Sequence, residues 1–153
     1  MAKTNPRTIL LKGEVNRRQS DAAATITPGD MLELTSSGTV QRHSDSGGFA
    51  GLRYFAVEND IVGDDIDDDY AATEAVQYQA ARPGEEILAN IADGENIAIA
   101  DMLISNGSGK LIKSDEESAG THTQSIVAVA LAALDLSDSA GADPVARLRV
   151  QVV

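Results

Sequence analysis

The side chains of this sequence that could take part in chemistry are two histidines and a dense run of carboxylates. His43 and His122 both stand among serine, threonine and glycine residues, a context typical of solvated surface loops, and neither has a second ligand at metal-binding spacing. The stretch 58–70 holds seven carboxylates, but no register places the spaced ligands, central glycine and final glutamate of an EF-hand loop. We therefore predict no metal and an acidic loop that faces solvent or a neighbouring subunit through Asp60, Asp64, Asp65, Asp67, Asp68 and Asp69.

Signatures of catalysis are missing from the sequence. The chain has no cysteine and no GxSxG motif, and the segment 107–110 is too short for a phosphate-binding loop. A carboxylate pair for glycoside hydrolysis is possible by composition, yet the sugar-stacking aromatic residues that such clefts use make up only 3% of the chain. The sequence thus predicts a binding protein without cofactor or catalytic residues.

Length and charge restrict the partners. With 153 residues, of which 42% are hydrophobic, the chain has the size and composition of one folded domain. Its net charge of −12 repels nucleic acids and anionic membranes. The N-terminus lacks the apolar run of a signal peptide, and no segment approaches the ~18 apolar residues of a membrane span. We expect synthesis in the cytoplasm and a protein partner, with no nucleic acid and no membrane.

Short alternating segments bounded by turn residues favour an all-β fold, a small barrel or sandwich. The clearest lies in 145–153, where Ala146, Leu148, Val150 and Val152 fall on one face and charged or polar residues on the other. The run 125–134 permits helix or strand, and we predict a buried strand. The other predicted strands are Thr8–Val15, Met31–Thr35, Arg53–Glu58, Ala75–Ala81, Ile87–Ile91 and Ile97–Ile99.

The sequence contains a weak internal echo. The segment 25–32 leads to Gly38-Thr39-Val40, and the segment 97–103 leads to Gly109-Lys110-Leu111, with Asp-Met-Leu at the same place in both. Each stretch predicts a strand, a polar turn and a second strand. Duplication of one hairpin and convergence on the same turn chemistry both explain the pattern.

Basic residues are concentrated at the N-terminus. Residues 1–20 carry five basic residues against Glu14, a balance of +4, so the remaining chain carries −16. We predict a basic N-terminal arm over 1–20 and a single β domain over 21–153. The segment Thr8–Val15 could leave the body and pair with a strand of a partner, so deletion of residues 1–16 would leave the body folded. The residues expected to bind are Lys3, Arg7, Ile9, Leu11, Lys12, Arg17 and Arg18.

Several segments resemble the head decoration, or capsid cement, proteins of tailed phages. They cover roughly the middle two-thirds of the chain, and none is catalytic. Thr73 and Ala100 stand where the resemblance leads us to expect glycine. The segments are Tyr54–Asp60, Ile66–Tyr70, Glu74–Tyr78, Ala81–Glu86, Asp93–Glu95, Asp101–Leu103 and Asn106–Gly109.

The resemblance implies a small β-rich protein, β-tulip-like in form, on the outer surface of a virion capsid. Its partner would be the major capsid protein, whose capsomer contacts it would reinforce, and it would act as a homotrimer. Two other classes stay open. One is a carbohydrate- or host-surface-binding module on a virion. The other is a nucleotide hydrolase similar to the trimeric β dUTPases, although the chain ends in a strand without a Gly-rich arm.

Overall fold

A computed structural model describes residues 7–48, 50–115, 124–137 and 146–153, and these residues contain strands and turns but no helix. The predicted all-β fold is confirmed. Lys3, His122 and Val145 lie outside the described residues. The strands are β1 (Leu10–Lys12), β2 (Arg17–Asp21), β3 (Met31–Leu34), β4 (Val40–Arg42), β5 (Tyr54–Ala56), β6 (Ala75–Ala80), β7 (Glu86–Ile91), β8 (Asn96–Ile97), β9 (Met102–Ser105), β10 (Leu111–Lys113), β11 (Ala128–Ala130), β12 (Leu134–Asp135) and β13 (Ala146–Val152).

Where hydrophobic alternation was clear, the predicted strands are present. Along β13, Leu148, Val150 and Val152 are buried while Arg149 and Gln151 are exposed, because successive side chains point to opposite faces. The predicted strand over 125–134 forms only at its centre, as β11, and the chain then bends before β12.

The first half of the molecule is a closed five-stranded barrel. Its strands follow the order β2-β6-β5-β3-β4 with antiparallel pairing throughout. A parallel bridge between Ala22 and Val40 joins the end of β2 to the start of β4 and closes the sheet. Closure removes most of the free strand edges that would otherwise invite aggregation.

The second half repeats this arrangement. Its strands follow the order β7-β13-β11-β9-β10, and a parallel pairing between Ile91 and Leu111 closes the ring. The short pair β8 and β12 lies outside this ring. β1 is an addition to the ring, since it pairs with β7 at Leu10 and Lys12.

The two barrels share one pairing register, strand for strand. Leu34 pairs with Val40 in the first barrel as Ser105 pairs with Leu111 in the second. The same agreement holds between β5–β6 and β11–β13, and between β2–β6 and β7–β13. Hereafter, counterparts are residues at the same register position in the two barrels. The echo in the sequence is therefore the visible part of a duplication that covers five strands of each barrel.

Counterpart positions also form the two barrel interiors. The first barrel buries Ala22, Ile26, Leu32, Val40, Tyr54, Ala56, Tyr70, Val76 and Tyr78. The second buries Ile91, Ile97, Leu103, Leu111, Ala128, Ala130, Leu148 and Val150. Tyr54 and Tyr78, with ring centroids 5.0 Å apart, have as counterparts the smaller Ala128 and Val150. The two barrels thus have the same inward-pointing positions, but a position that holds a large residue in one barrel can hold a small residue in the other.

A further apolar cluster joins the barrels. Met31 and Phe55 point out of the first barrel and belong to the same buried cluster as Ile87 and Leu88 of the second. Buried polar contacts accompany them, including the backbone N–H of Met31, which donates to the carbonyl of Gly109 at 2.7 Å. The two barrels therefore share one continuous buried contact.

The prediction of a free N-terminal arm is wrong for residues 7–20. Ile9 is fully buried, and its carbonyl accepts from the backbone N–H of Leu88 at 2.8 Å. β2 pairs with β6 along its whole length, so the predicted boundary at residue 20 falls inside a strand. The segment stays in the fold because β1 covers an edge of β7 and β2 completes the first barrel.

Thr73 and Ala100 occupy the positive-φ turns for which glycine was expected. Their φ angles are 73° and 75°, a region that costs residues with a side chain about 1–2 kcal/mol. We predict that Thr73→Gly and Ala100→Gly each raise the free energy of unfolding by about 0.5–1 kcal/mol, since relief of strain exceeds the entropy cost of glycine. Urea unfolding checks this, with Ala71→Gly as the control that should not stabilise. A loss of stability in both variants would contradict it.

Candidate functional site

The basic N-terminal residues and the acidic loop, predicted as separate sites, lie against each other. Arg7 forms an ion pair with Asp65. Arg17 contacts Asp60 at 2.6 Å and Glu58 at 3.7 Å. These charges therefore partly neutralise one another within the chain, a contact that spacing along the sequence did not indicate.

The other predicted binding residues have different environments. Ile9 is in the core, and Leu11 is half-buried against it. Lys12 is exposed, with its ammonium 3.7 Å from Glu86. The guanidinium of Arg18 lies 5.9 Å from the centre of the Tyr54 ring, where it covers one end of the first barrel. Ile9 is thus removed from the set that could touch a partner, while Arg7, Lys12, Arg17 and Arg18 retain exposed surface.

The acidic loop has a defined shape. Asp65 accepts from the backbone N–H of Asp67 and donates its own backbone N–H to the Asp68 carboxylate, both at 2.8 Å. Ile66 is buried as an anchor, and Arg147 contacts Asp67 at 3.0 Å. The side chains of Asp64, Asp68 and Asp69 are exposed and form no ion pair with a described residue. No group of three or more metal-ligating side chains occurs within the described ranges.

An apolar tip projects from this loop. Ile61 is 74% exposed and Val62 is 66% exposed, directly after the contact between Asp60 and Arg17. These two aliphatic side chains form a small exposed apolar area at the end of the loop. The Ile-Val pair between Asp60 and Gly63 is visible in the sequence. The surrounding carboxylates led us to predict an acidic loop without an apolar tip. Below, the loop surface means the acidic loop, this tip, Arg7 and Arg17.

The prediction that His43 is a solvated loop residue is wrong. His43 is only 3% exposed, and its Nδ1 lies 2.8 Å from the hydroxyl of Ser105, itself buried in β9. It is buried because the turn before β10 packs on it, with the backbone N–H of Gly109 donating to its carbonyl at 3.2 Å. The histidine therefore helps to join the two barrels.

A shallow depression of about 420 Å³ lies next to His43, and its described lining is mainly aliphatic. Leu34 and Leu52 are partly exposed there. Burial opposes ionisation of Glu33 at its edge, but hydrogen bonds from Ser44 and Gln41 outweigh that effect and lower its pKa below the ordinary value. None of the described lining residues is a tryptophan, tyrosine or phenylalanine, the side chains that usually stack on a sugar ring.

Tyr70 fixes the segment that follows the acidic loop. Its hydroxyl donates to the carbonyl of Val57 at 2.6 Å, and burial raises the pKa of this tyrosine to about 12. A raised folded-state pKa means that the unfolded chain loses the proton first as the pH increases. Stability from this group is therefore complete below pH 10 and is lost between about pH 10 and 12.

We predict that Tyr70→Phe lowers the free energy of unfolding by about 0.5–1.5 kcal/mol at neutral pH, because the hydrogen bond to Val57 is lost. The difference in the free energy of unfolding between this variant and the parent chain should decrease above pH 10, since phenylalanine cannot ionise. Urea unfolding at pH 7, 9 and 11 tests both parts. A gap that stays constant or widens with pH would contradict the account.

Comparison with known proteins gives solved structures with a similar fold, and one of them is a phage protein. The crystal structure of the N base of the head fiber gp8.5 in bacteriophage phi29 matches with a TM-score of 0.55 over 92% of this chain and 95% of that chain. The two sequences are 8% identical, so the match concerns the fold. No family model matches the sequence, and no curated protein matches it. Within the described ranges, no helix has the length and apolar character to cross a membrane.

Proposed function

We propose that this chain is a structural virion protein that binds the outer surface of a phage capsid and reinforces contacts between capsomers. One observation carries the proposal: the fold matches the base of a phage head fiber over 92% of the chain, so it includes both barrels. The resemblance of residues 54–109 to head decoration proteins supports it from the sequence. A role on the capsid exterior fits a cysteine-free β protein with strong net negative charge.

The polar groups buried in the fold serve its architecture. Glu58 accepts from the hydroxyl of Thr8 and the backbone N–H of Ile9, and Glu85 accepts from the backbone N–H of Arg82. Asn90 donates to Asp30 at 2.8 Å across the barrel contact. Each of these three buried carboxylates therefore has a structural partner. This supports a non-enzymatic role and disfavours the nucleotide hydrolase.

The loop surface supplies the capsid contact in this proposal. Its tip offers apolar area through Ile61 and Val62, while Asp64, Asp68 and Asp69 offer exposed carboxylates that form no ion pair with a described residue. Buried apolar contacts provide affinity, and the carboxylates steer the approach to basic groups of the major capsid protein. Because many copies decorate one shell, weak individual contacts still stabilise the particle.

Capsid binding tests this proposal directly. The chain is mixed with capsids of its source phage that lack it, and bound protein is measured by co-sedimentation. The double substitution of Ile61 and Val62 by aspartate should raise the Kd for capsids at least about tenfold, which corresponds to ~1.4 kcal/mol. Leu34→Asp, which alters an exposed leucine on a different strand, should leave binding within about twofold. Equal loss in both variants, with folding intact, would remove the loop surface from the proposal.

The homotrimer implied by the resemblance belongs to the same proposal. A trimer places three loop surfaces on one particle, which multiplies weak contacts with neighbouring capsomers. Sedimentation analysis of the chain alone and imaging of decorated capsids would establish the copy number at each site.

A further inference from the structure

The second barrel carries an exposed apolar face whose counterpart in the first barrel is buried. Ile99 is 66% exposed and Met102 is 49% exposed. Their counterparts are Pro28, which is buried, and Met31, which is fully buried. The two turns have the same hydrogen bonding, since Asp30 accepts from the backbone N–H of Thr27 and Asp101 from that of Ala98. The same face is therefore covered in the first barrel and exposed in the second.

The first barrel shows how this face is covered. The backbone N–H of Asn90 donates to the carbonyl of Gly29 at 3.1 Å, and its side-chain amide donates to the carbonyl of Pro28 at 3.2 Å. Arg147 donates to the same Pro28 carbonyl. Met31 packs into the shared apolar cluster beside Leu88. The covering surface is therefore the outer face of β7 and β13.

The first barrel has an equivalent outer face. It is formed by β2 and β6, the counterparts of β7 and β13. Register places Gln19 where the second barrel has Leu88, Asp21 where it has Asn90, and Ala75 where it has Arg147. Gln19 and Asp21 are exposed, and Ala75 is partly exposed. Gln77 and Gln79, further along the same face of β6, are buried, and Gln79 is hydrogen-bonded to the backbone of Glu14 and Asn16. The open part of this covering surface is therefore the part around Gln19, Asp21 and Ala75.

We propose that these two open surfaces bind each other between copies of the chain. The face around Ile99 and Met102 of one molecule docks on the outer face of β2 and β6 of the next molecule, in the manner of the intramolecular barrel contact. Such a link is head-to-tail, so it closes into a ring or continues as a filament. A trimer joined in this way would be a ring of six barrels.

The chemistry of the contact differs from the intramolecular one in a way that predicts modest affinity. Ile99 and Met102 supply apolar area, whereas the receiving face is polar. Asn90 donates both to the carbonyl of Pro28 and to the carboxylate of Asp30, whereas Asp21 can donate to neither counterpart. Asp21 would also face the carboxylate of Asp101, the counterpart of Asp30, and this repulsion opposes the contact. Lys113, 3.0 Å from Asp101, is a cation that Asp21 of the next copy would meet. We expect association that depends on protein concentration.

Cysteine cross-linking tests the geometry, because the chain has no cysteine of its own. Asn90 lies against Gly29, and an added Cβ at Gly29 would be 2.8 Å from its side-chain oxygen. The counterpart positions are Asp21 and Ala100. Asp21→Cys and Ala100→Cys, oxidised separately, should give few dimers, whereas the mixture should give a disulfide dimer in good yield. A mixture of Ala100→Cys with Asp64→Cys is the control and should not cross-link.

Substitutions test the energetics in the full chain. Ile99→Asp should weaken self-association at least about tenfold by sedimentation velocity, and Ile61→Asp should leave it unchanged. Asp21→Asn, which restores the amide donor, should strengthen it several-fold. A parent chain that stays at 16.0 kDa at its highest soluble concentration, with no cross-link in the mixture, would overturn the proposal. Cross-linking of Ala100→Cys to itself would overturn the head-to-tail arrangement.

This association is measured on the chain alone, so its failure can be distinguished from a failure of capsid binding. If self-association fails while co-sedimentation with capsids persists, the proposed contact between copies is wrong and the proposed function is unaffected. Loss of co-sedimentation in the variant altered at Ile61 and Val62, with self-association intact, would concern the loop surface alone.

Discussion

A chain that begins at Arg17 should lose its cooperative unfolding transition. Removal of residues 7–16 takes away Ile9, which is fully buried, and the pairing of β1 with β7. It also removes the carbonyl of Glu14, which accepts from the buried side chain of Gln79 at 2.8 Å. Truncation of a buried isoleucine alone costs about 2–5 kcal/mol, a large part of the ~5–15 kcal/mol that holds a domain folded.

Thermal and urea unfolding followed by circular dichroism measure this loss. The matched control is a chain that begins at Arg7, which keeps every contact described for the N-terminal segment and should unfold like the parent. Ile9→Ala in the full chain should show an intermediate loss of about 2–5 kcal/mol. If a chain that starts at Arg17 has the melting temperature of the parent, the N-terminal segment is a free arm, as the sequence suggested.

Asp30→Ala should be the most damaging single polar substitution at the barrel contact. Asp30 is fully buried and accepts from Thr27, from Arg42 at 2.6 Å and from Asn90 at 2.8 Å. Its removal leaves three donors without this acceptor, and one of them, the amide of Asn90, comes from the other barrel. We expect a loss of about 3 kcal/mol in the free energy of unfolding.

The duplication supplies a matched control for that prediction. Asp101 is the counterpart of Asp30, accepts from Ala98, and pairs with Lys113 at 3.0 Å. No hydrogen bond from a neighbouring barrel reaches it within the described residues. Asp101→Ala should therefore cost about 1 kcal/mol. Equal losses in the two variants by urea unfolding would mean that the turn, and not the barrel contact, determines the effect.

Sequence patterning predicted strands where one face of the strand is apolar. It missed β2, because the inward positions of this strand hold Arg18, which covers the Tyr54 ring, and Ser20, whose hydroxyl lies 3.3 Å from that of Tyr78. The two tyrosine rings fill the barrel in place of aliphatic residues from β2. Hydrophobic alternation is therefore absent from a strand that completes a barrel.

The extent of the duplication was hidden for a similar reason. Asp30 and Asp101 were visible because a turn needs a local acceptor at that position. Elsewhere the barrels conserve which positions point inward but exchange their sizes, as at Tyr54 and Ala128. Local sequence similarity decays under such exchanges, while the register of strand pairing does not.

The candidate site was predictable in part. Composition identified the acidic loop and the basic N-terminal residues, but the contacts of Arg7 with Asp65 and of Arg17 with Asp60 depend on tertiary structure. His43 shows the same limit, since polar neighbours in sequence say little about the turn that covers it.

Electron cryomicroscopy of heads of the source phage shows directly whether this chain lies on the capsid exterior. We expect density for pairs of small β barrels on the outer capsid surface, near contacts between capsomers, with the loop carrying Ile61 and Val62 against the major capsid protein. Heads from a phage lacking the gene should show bare positions there and should rupture at lower temperature. Complete, equally stable heads in which this chain occupies no exterior position would contradict the account.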